Sequence, residues 1–172
     1  MIDTARLEAL ATRTRDLSPD ECAALAGEAS ELVDLAALER AGEGSFELLR
    51  RNAHSEAWLN QGWERRDTGF HDHNGSCFGV HVLEGTARNE ALVVGGERRL
   101  REYTAGDSFS FPGTGIHRME HDRGAFTIHV YSPPISAIGH YEIVDGELRR
   151  HAGPPDEGSP PSPRLSAALA EL

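Results

Sequence analysis

The sequence predicts a mainly β domain, a sandwich or barrel of short strands, preceded by helices. Three observations carry that expectation. From residue 45 onward, brief apolar or alternating runs are separated by Gly, Pro, Asn and Asp turns. Before residue 45 the chain is rich in Ala and Leu, and its apolar residues recur at helical spacing. After His151 comes "AGPPDEGSPPSP", a Pro/Gly/Ser stretch without core-forming residues.

Taken in order, residues 4–15 read as a helix of Ala, Leu and Arg. "SPDE" at 18–21 is a helix start: Ser18 as N-cap, Pro19 at the first position, Glu21 closing a capping box. Helical spacing then continues through Leu38, and "AGEG" at 41–44 ends this part. The strand candidates are "EAWLNQGWE", "CFGVHVLEG", "TARNEALVV", "ERRLREY", "SFSF", "HRMEH", "AFTIHVYS" and "GHYEIV". "VGGE" at 94–97 and "VDGELRR" at 144–150 are hairpin signals. The expected organisation is one domain: a helical segment at 1–44, the β unit at 45–152, and a tail at 153–172 in which "RLSAALAEL" can form a short terminal helix.

Composition excludes several function classes. At 172 residues the chain suits one domain with a sizeable core. Its formal net charge is -11, which argues against partners such as nucleic acid or an anionic membrane, because both need a basic patch. Every one of the 17 basic residues is Arg, so a Schiff-base lysine is excluded. The two cysteines, Cys22 and Cys77, are too few for a secreted disulfide framework, and "MIDTARLEAL" carries charge from its third residue, unlike a secretory leader. No apolar run approaches the ~20 residues of a membrane span. The expected setting is a reducing cytoplasm, and the expected assembly a monomer or small homo-oligomer.

The histidines are the strongest functional clue. Seven of the nine lie between 71 and 140, a region that reads as strands. In a strand, residues i and i+2 point to the same face. His71 and His73 of "HDHNGSC" would therefore project together, with Asp72 on the other side. Two imidazoles on one strand are half of a metal site; a hydrogen-bonded surface pair is the alternative. "GDSFSFPGTGIHRMEH", Gly106 to His121, supplies a further His at 117.

Together, "HDHNGSCFGVHVLEG" and "GDSFSFPGTGIHRMEH" resemble the two signature motifs of the cupin superfamily. His71, His73 and Gly85 match the first motif, and Gly106, Pro112 and His117 the second. Thr114 stands for the second motif's Gly and His121 for its Asn. The resemblance implies a cupin-type β-barrel, a double-stranded β-helix or jelly roll. In that fold His71, His73 and His117 would be metal ligands. The first motif's Glu position falls on Phe78, so three neutral imidazoles would hold the ion, and imidazole suits Fe, Ni, Cu or Zn alike. Cupins with three His and no Glu include the cysteine dioxygenase-like thiol dioxygenases, and "TIHVYSPPI" at 127–135 resembles that family's hallmark. The resemblance implies Fe(II) as cofactor and O2 and a small thiol, cysteine by default, as substrates. It also implies a catalytic relay of Thr127, His129 and Tyr131, which alternate on one strand and so share a face.

Two departures from the family pattern matter. Counting from His73 to Gly85, the position of the cysteine that crosslinks to the relay Tyr lands on Phe78, so no Cys77–Tyr131 bond is expected and Cys77 is read as buried packing. The family's carboxylate-binding Arg is replaced by Leu48, leaving Arg50 and Arg51 nearby as candidate substrate-binding residues or as solvated surface. Two other functions stay open: a three-His cupin dioxygenase acting on a non-thiol small acid, and a non-catalytic cupin that binds a small molecule. His81, His121 and His140 are read as satisfied polar residues.

Overall fold

Alternation along the strands sorts apolar side chains between two cores. In β2 (Glu56–Gln61), Ala57 and Leu59 point one way, Trp58 the other. In β10 (Phe126–Ser132), Ile128 and Val130 join the first group and Tyr131 the second. In β5 (Cys77–Glu84), Cys77 sides with the first and Phe78, Val80 and Val82 with the second. Both faces of β2 and β10 are buried, and one face of each also carries buried polar side chains such as Asn60, Thr127 and His129.

The first core is closed by helix α1 (Pro19–Ser30), which buries Cys22, Leu25, Ala26 and Ala29. The helix starts as the sequence predicts: Ser18 Oγ accepts from Glu21 N, and the Glu21 carboxylate accepts from Ser18 N at 2.8 Å. It does not run on to Leu38. It stops at Ser30, and a short 3-10 turn follows at Leu35–Ala37. There the Asp34 carboxylate accepts from Ala36 N and Ala37 N, so a competing cap restarts the chain in a new direction. The contact of α1 with the sheet depends on Gly79, where a Cβ would sit 2.0 Å from the backbone N of Ala23.

The computed structural model describes residues 6, 14–38, 45–62, 66–93 and 98–151. Most of the helix expected at 4–15, the turn at 94–97 and the tail from 152, with its terminal helix, lie outside the described residues. The remaining strands are β1 (Ser45–Arg51), β3 (Arg66–Asp67), β4 (Phe70–Asp72), β6 (Thr86–Leu92), β7 (Arg98–Thr104), β8 (Ser108–Phe111), β9 (His117–His121), β11 (Gly139–Val144) and β12 (Glu147–His151). Neither β1 nor β3 is evident in the sequence. One antiparallel sheet has the order β1-β2-β10-β5-β8, the other β12-β11-β4-β9-β6-β7, with β3 paired to β9. The second core, including Trp58, Phe78, Val82, Phe109 and Met119, draws on strands of both sheets. This is the jelly-roll arrangement of a cupin. The β11–β12 hairpin turns through Asp145 (φ 53°) and Gly146 (φ 82°), the left-handed pair that a type I′ turn requires.

Candidate metal centre and hydrogen-bond relay

The short strand β4 and the start of β9 build one cluster. His71 pairs across the sheet with His117. His73 follows β4, and the chain then turns at Asn74 (φ 51°) and Gly75 (φ 95°), with Ser76 N donating to His73 O. One ring nitrogen from each of His71, His73 and His117 lies within 4.8 Å of the other two. All three residues are buried. Asp72 points away and takes hydrogen bonds from Tyr141 Oη and from Asn74 N.

Each imidazole is prepared differently. His117 Nδ1 donates to Asn89 Oδ1 at 2.8 Å, which leaves the buried Nε2 with no hydrogen-bond partner among the described residues. His71 Nδ1 lies 3.0 Å from the Gly69 carbonyl oxygen, to which it donates. Orienting one nitrogen fixes the other as a lone-pair donor. Burial, then the neighbouring His71 and other histidines, pushes His73 and His117 well below the ordinary imidazole range. They are therefore neutral near pH 7, the state in which imidazole ligates. Three nitrogens about 2.1 Å from one ion would stand roughly 3–4 Å apart, so the cluster fits a single ion with at most a small contraction. Phe78 packs against the cluster and brings no ligand atom to it: its ring centroid is 4.6 Å from that of His117 and 5.1 Å from that of His73.

A second polar row runs along β10. His129 Nδ1 is 3.1 Å from Tyr131 Oη, and His129 Nε2 is 2.9 Å from Thr127 Oγ1. The row reaches the cluster at Tyr131, whose ring centroid lies 4.9 Å from that of His73. It also continues past Thr127: His121 Nε2 is 3.5 Å from both Thr127 Oγ1 and Asn60 Nδ2. Burial, and then Glu56, pushes the Tyr131 phenol up, so it stays protonated.

Both rows adjoin a cavity enclosing about 340 Å³, its mouth included, although His73 and Thr127 do not line it. His71 and His117 line it, with Tyr131 and His129, with Phe46, Thr68 and Met119, and with Asn60, Arg66 and His121. Arg50 and Arg51 do not line it. A register shift between Leu48 and Arg50 pairs Arg50 with Ala57, on the helix side, where it is buried with Nη1 donating to Ser55 Oγ at 3.3 Å. Arg51 pairs with Glu56 and lies 3.5 Å from its carboxylate. Leu48 is exposed. Cys77 sits opposite Ser132 whereas Phe78 sits opposite Tyr131. The Cys77 Sγ faces the helix core, 3.9 Å from Cys22 Sγ, in keeping with a packing role.

Sequence reasoning missed Arg66, Asn60 and Asn89. None falls in a motif, and Arg66 sits on a strand that the sequence does not betray. His121 was expected to be satisfied, yet its Nδ1 is buried with no hydrogen-bond partner among the described residues. His81 does conform, bonding Ser108 Oγ at 2.8 Å.

The fold and the three-histidine cluster define the class: a cupin with a candidate metal centre. Solved structures of similar shape include KdgF from Halomonas sp. (18% identity, 56% of this chain and 84% of that one, TM-score 0.46). Others are the BH2720 protein of Bacillus halodurans (15%, 63% and 77%, TM-score 0.49) and an RmlC-like cupin from Desulfovibrio desulfuricans (18%, 59% and 93%, TM-score 0.46). No curated protein matches the sequence. The family model for cysteine dioxygenase type I matches residues 13–143. The chain belongs to the cysteine dioxygenase type I family.

Proposed function

We propose that the protein is an Fe(II)-dependent thiol dioxygenase, converting a small thiol RSH and O2 to the sulfinic acid RSO2H. The observation that carries this reading is the meeting of two polar rows at one cavity: His71, His73 and His117 as a ligand cluster, and Tyr131, His129 and Thr127 as a hydrogen-bonded chain ending beside it. When bound, Fe(II) would lower the thiol pKa, hold the sulfur as thiolate and supply the redox chemistry with O2.

The rest is the work of the chain. Phe78 packs against His73 and His117 and offers no ligand atom, so three neutral imidazoles alone would hold the ion. Bringing thiol and O2 to one centre removes the entropic penalty of their encounter. Tyr131, kept protonated, donates a hydrogen bond toward the reacting atoms; His129 orients the hydroxyl, and Thr127 holds His129. Phe46 and Met119 give the cavity an apolar wall that limits water.

The test is oxygen uptake after anaerobic Fe(II) loading, with product identified by mass. One O2 should be consumed per thiol, and Tyr131→Phe should lower kcat by about 100-fold while iron content stays unchanged. Fully iron-loaded protein that oxidises no thiol ends the proposal. Undiminished turnover by Tyr131→Phe removes the relay from it.

A further inference from the structure

The chain has two thiols, 55 residues apart in sequence, and they meet in the core between α1 and β5. Cys22 is fully buried on α1, and Cys77, 8% exposed, opens β5. Both are free, with their sulfurs 3.9 Å apart. A disulfide needs about 2.0 Å, so a small side-chain movement would join them. The backbone imposes this approach. Gly79 lies two residues along β5 from Cys77, on the same face. Its missing side chain lets the strand rest directly on the backbone of Cys22 and Ala23.

The pair is also polarised. Cys77 Sγ donates to the Leu17 carbonyl oxygen at 3.3 Å, so it is the Cys22 S–H that points at Cys77 Sγ. That contact holds the Cys77 thiol below its ordinary range, while the Cys22 thiol is pushed up. The more exposed and more readily ionised sulfur is thus the first to react, and a second thiol lies against it to resolve the product.

We propose that Cys22 and Cys77 form a site of reversible oxidative modification, a thiol pair that a hydroperoxide converts to a disulfide stapling α1 to β5. The Cys77 thiolate attacks the O–O bond of hydrogen peroxide and becomes a sulfenic acid, and the departing hydroxide takes up the thiol's proton as water. The Cys22 sulfur then displaces the sulfenic hydroxyl as a second water. In sum, two thiols and one peroxide give one disulfide and two waters. Each sulfur loses one electron and each peroxide oxygen gains one. The nearness of Cys22 stops Cys77 short of the sulfinic acid. Cys77 faces the helix while Phe78 faces the ligand cluster, so the staple forms behind the metal centre and uses none of its ligands. It does not depend on the thiol dioxygenase reading.

The reduced full chain, with a chelator to hold back adventitious iron, is treated with hydrogen peroxide, and its free thiols are then alkylated in urea. The chain should become two hydrogens lighter and take no alkyl group. Peptide mapping should find Cys22 joined to Cys77 within one chain, and dithiothreitol should restore both thiols. The oxidised chain should have a higher urea midpoint than the reduced one, because the bond closes a long loop of the unfolded chain. In Cys22→Ala, with nothing to resolve it, Cys77 should advance to the sulfinic acid and gain two oxygens. A wild-type chain that gains oxygens at Cys77, that bonds to a second chain, or that keeps both thiols open to alkylation after excess peroxide overturns the proposal. So does an intrachain disulfide that lowers the midpoint, since the fold would then not accommodate the staple.

Discussion

At the scale of single residues, the site works by controlling which nitrogen of each imidazole is free. Asn89 shows this most clearly. Its Oδ1 takes the Nδ1 proton of His117 and leaves Nε2 without a partner, in surroundings too buried for water to supply one readily. Asn89→Ala removes that orientation without touching a ligand. The expected result is a loss of metal affinity of about 10- to 100-fold. Competition against a chelator of known affinity measures it, and unchanged affinity would show that packing alone aims the ring. The sequence made His117 legible because a spaced motif contains it. Asn89 was not legible, because its role comes from a neighbouring strand that only the register sets opposite the histidine's own.

At the scale of elements, β5 and α1 hold the site by pressing on each other. β5 places Phe78 against the ligand cluster on one face and presents Gly79 to the helix on the other. A methyl group at 79 would meet the helix backbone, which cannot give way as a flexible side chain can. Gly79→Ala should destabilise the fold by about 3 kcal/mol, read as a lower urea midpoint with an unchanged slope. A midpoint that does not move would mean that α1 is free to shift. Capping chemistry made the start of α1 readable from "SPDE". Its end was not readable, since helical spacing persists past Ser30 while the Asp34 cap diverts the backbone. The helix-facing side of β5 also settles Cys77, whose parity the sequence left uncertain across the Asn74–Gly75 turn.

At the scale of the molecule, one jelly roll encloses an unusual number of neutral imidazoles. Burial holds His73, His117 and His129 well below the ordinary imidazole range and His121 at about 4. Unfolding releases each to near 6.5. Below pH 6.5 the unfolded chain therefore binds more protons than the folded one, and stability falls as the pH falls. For His121 the loss builds from about pH 6.5 down through pH 4, where the folded ring is half protonated, and amounts to roughly 3 kcal/mol once the pH is below that value. Metal-free protein should show a urea midpoint that drops steadily from pH 7 to pH 4.5. His121→Gln should flatten that slope; an equally steep slope would mean that His121 is hydrated in the folded state.

The sequence alone determined the mainly β class, the capped helix, most of the strands, and three histidines and a Thr-His-Tyr row in family spacing. These are legible because alternation, turn residues and short motifs are local, and local geometry follows from sterics and hydrogen bonding along a few residues. Tertiary structure alone decided that three histidines from β4, the turn after it and β9 converge. It also decided that Arg50 and Arg51 do not line the cavity while Arg66 and His121 do. Those outcomes depend on strand register and on one irregularity in β1. A shift of a single residue there reverses every side chain, and no local signal in the sequence records it.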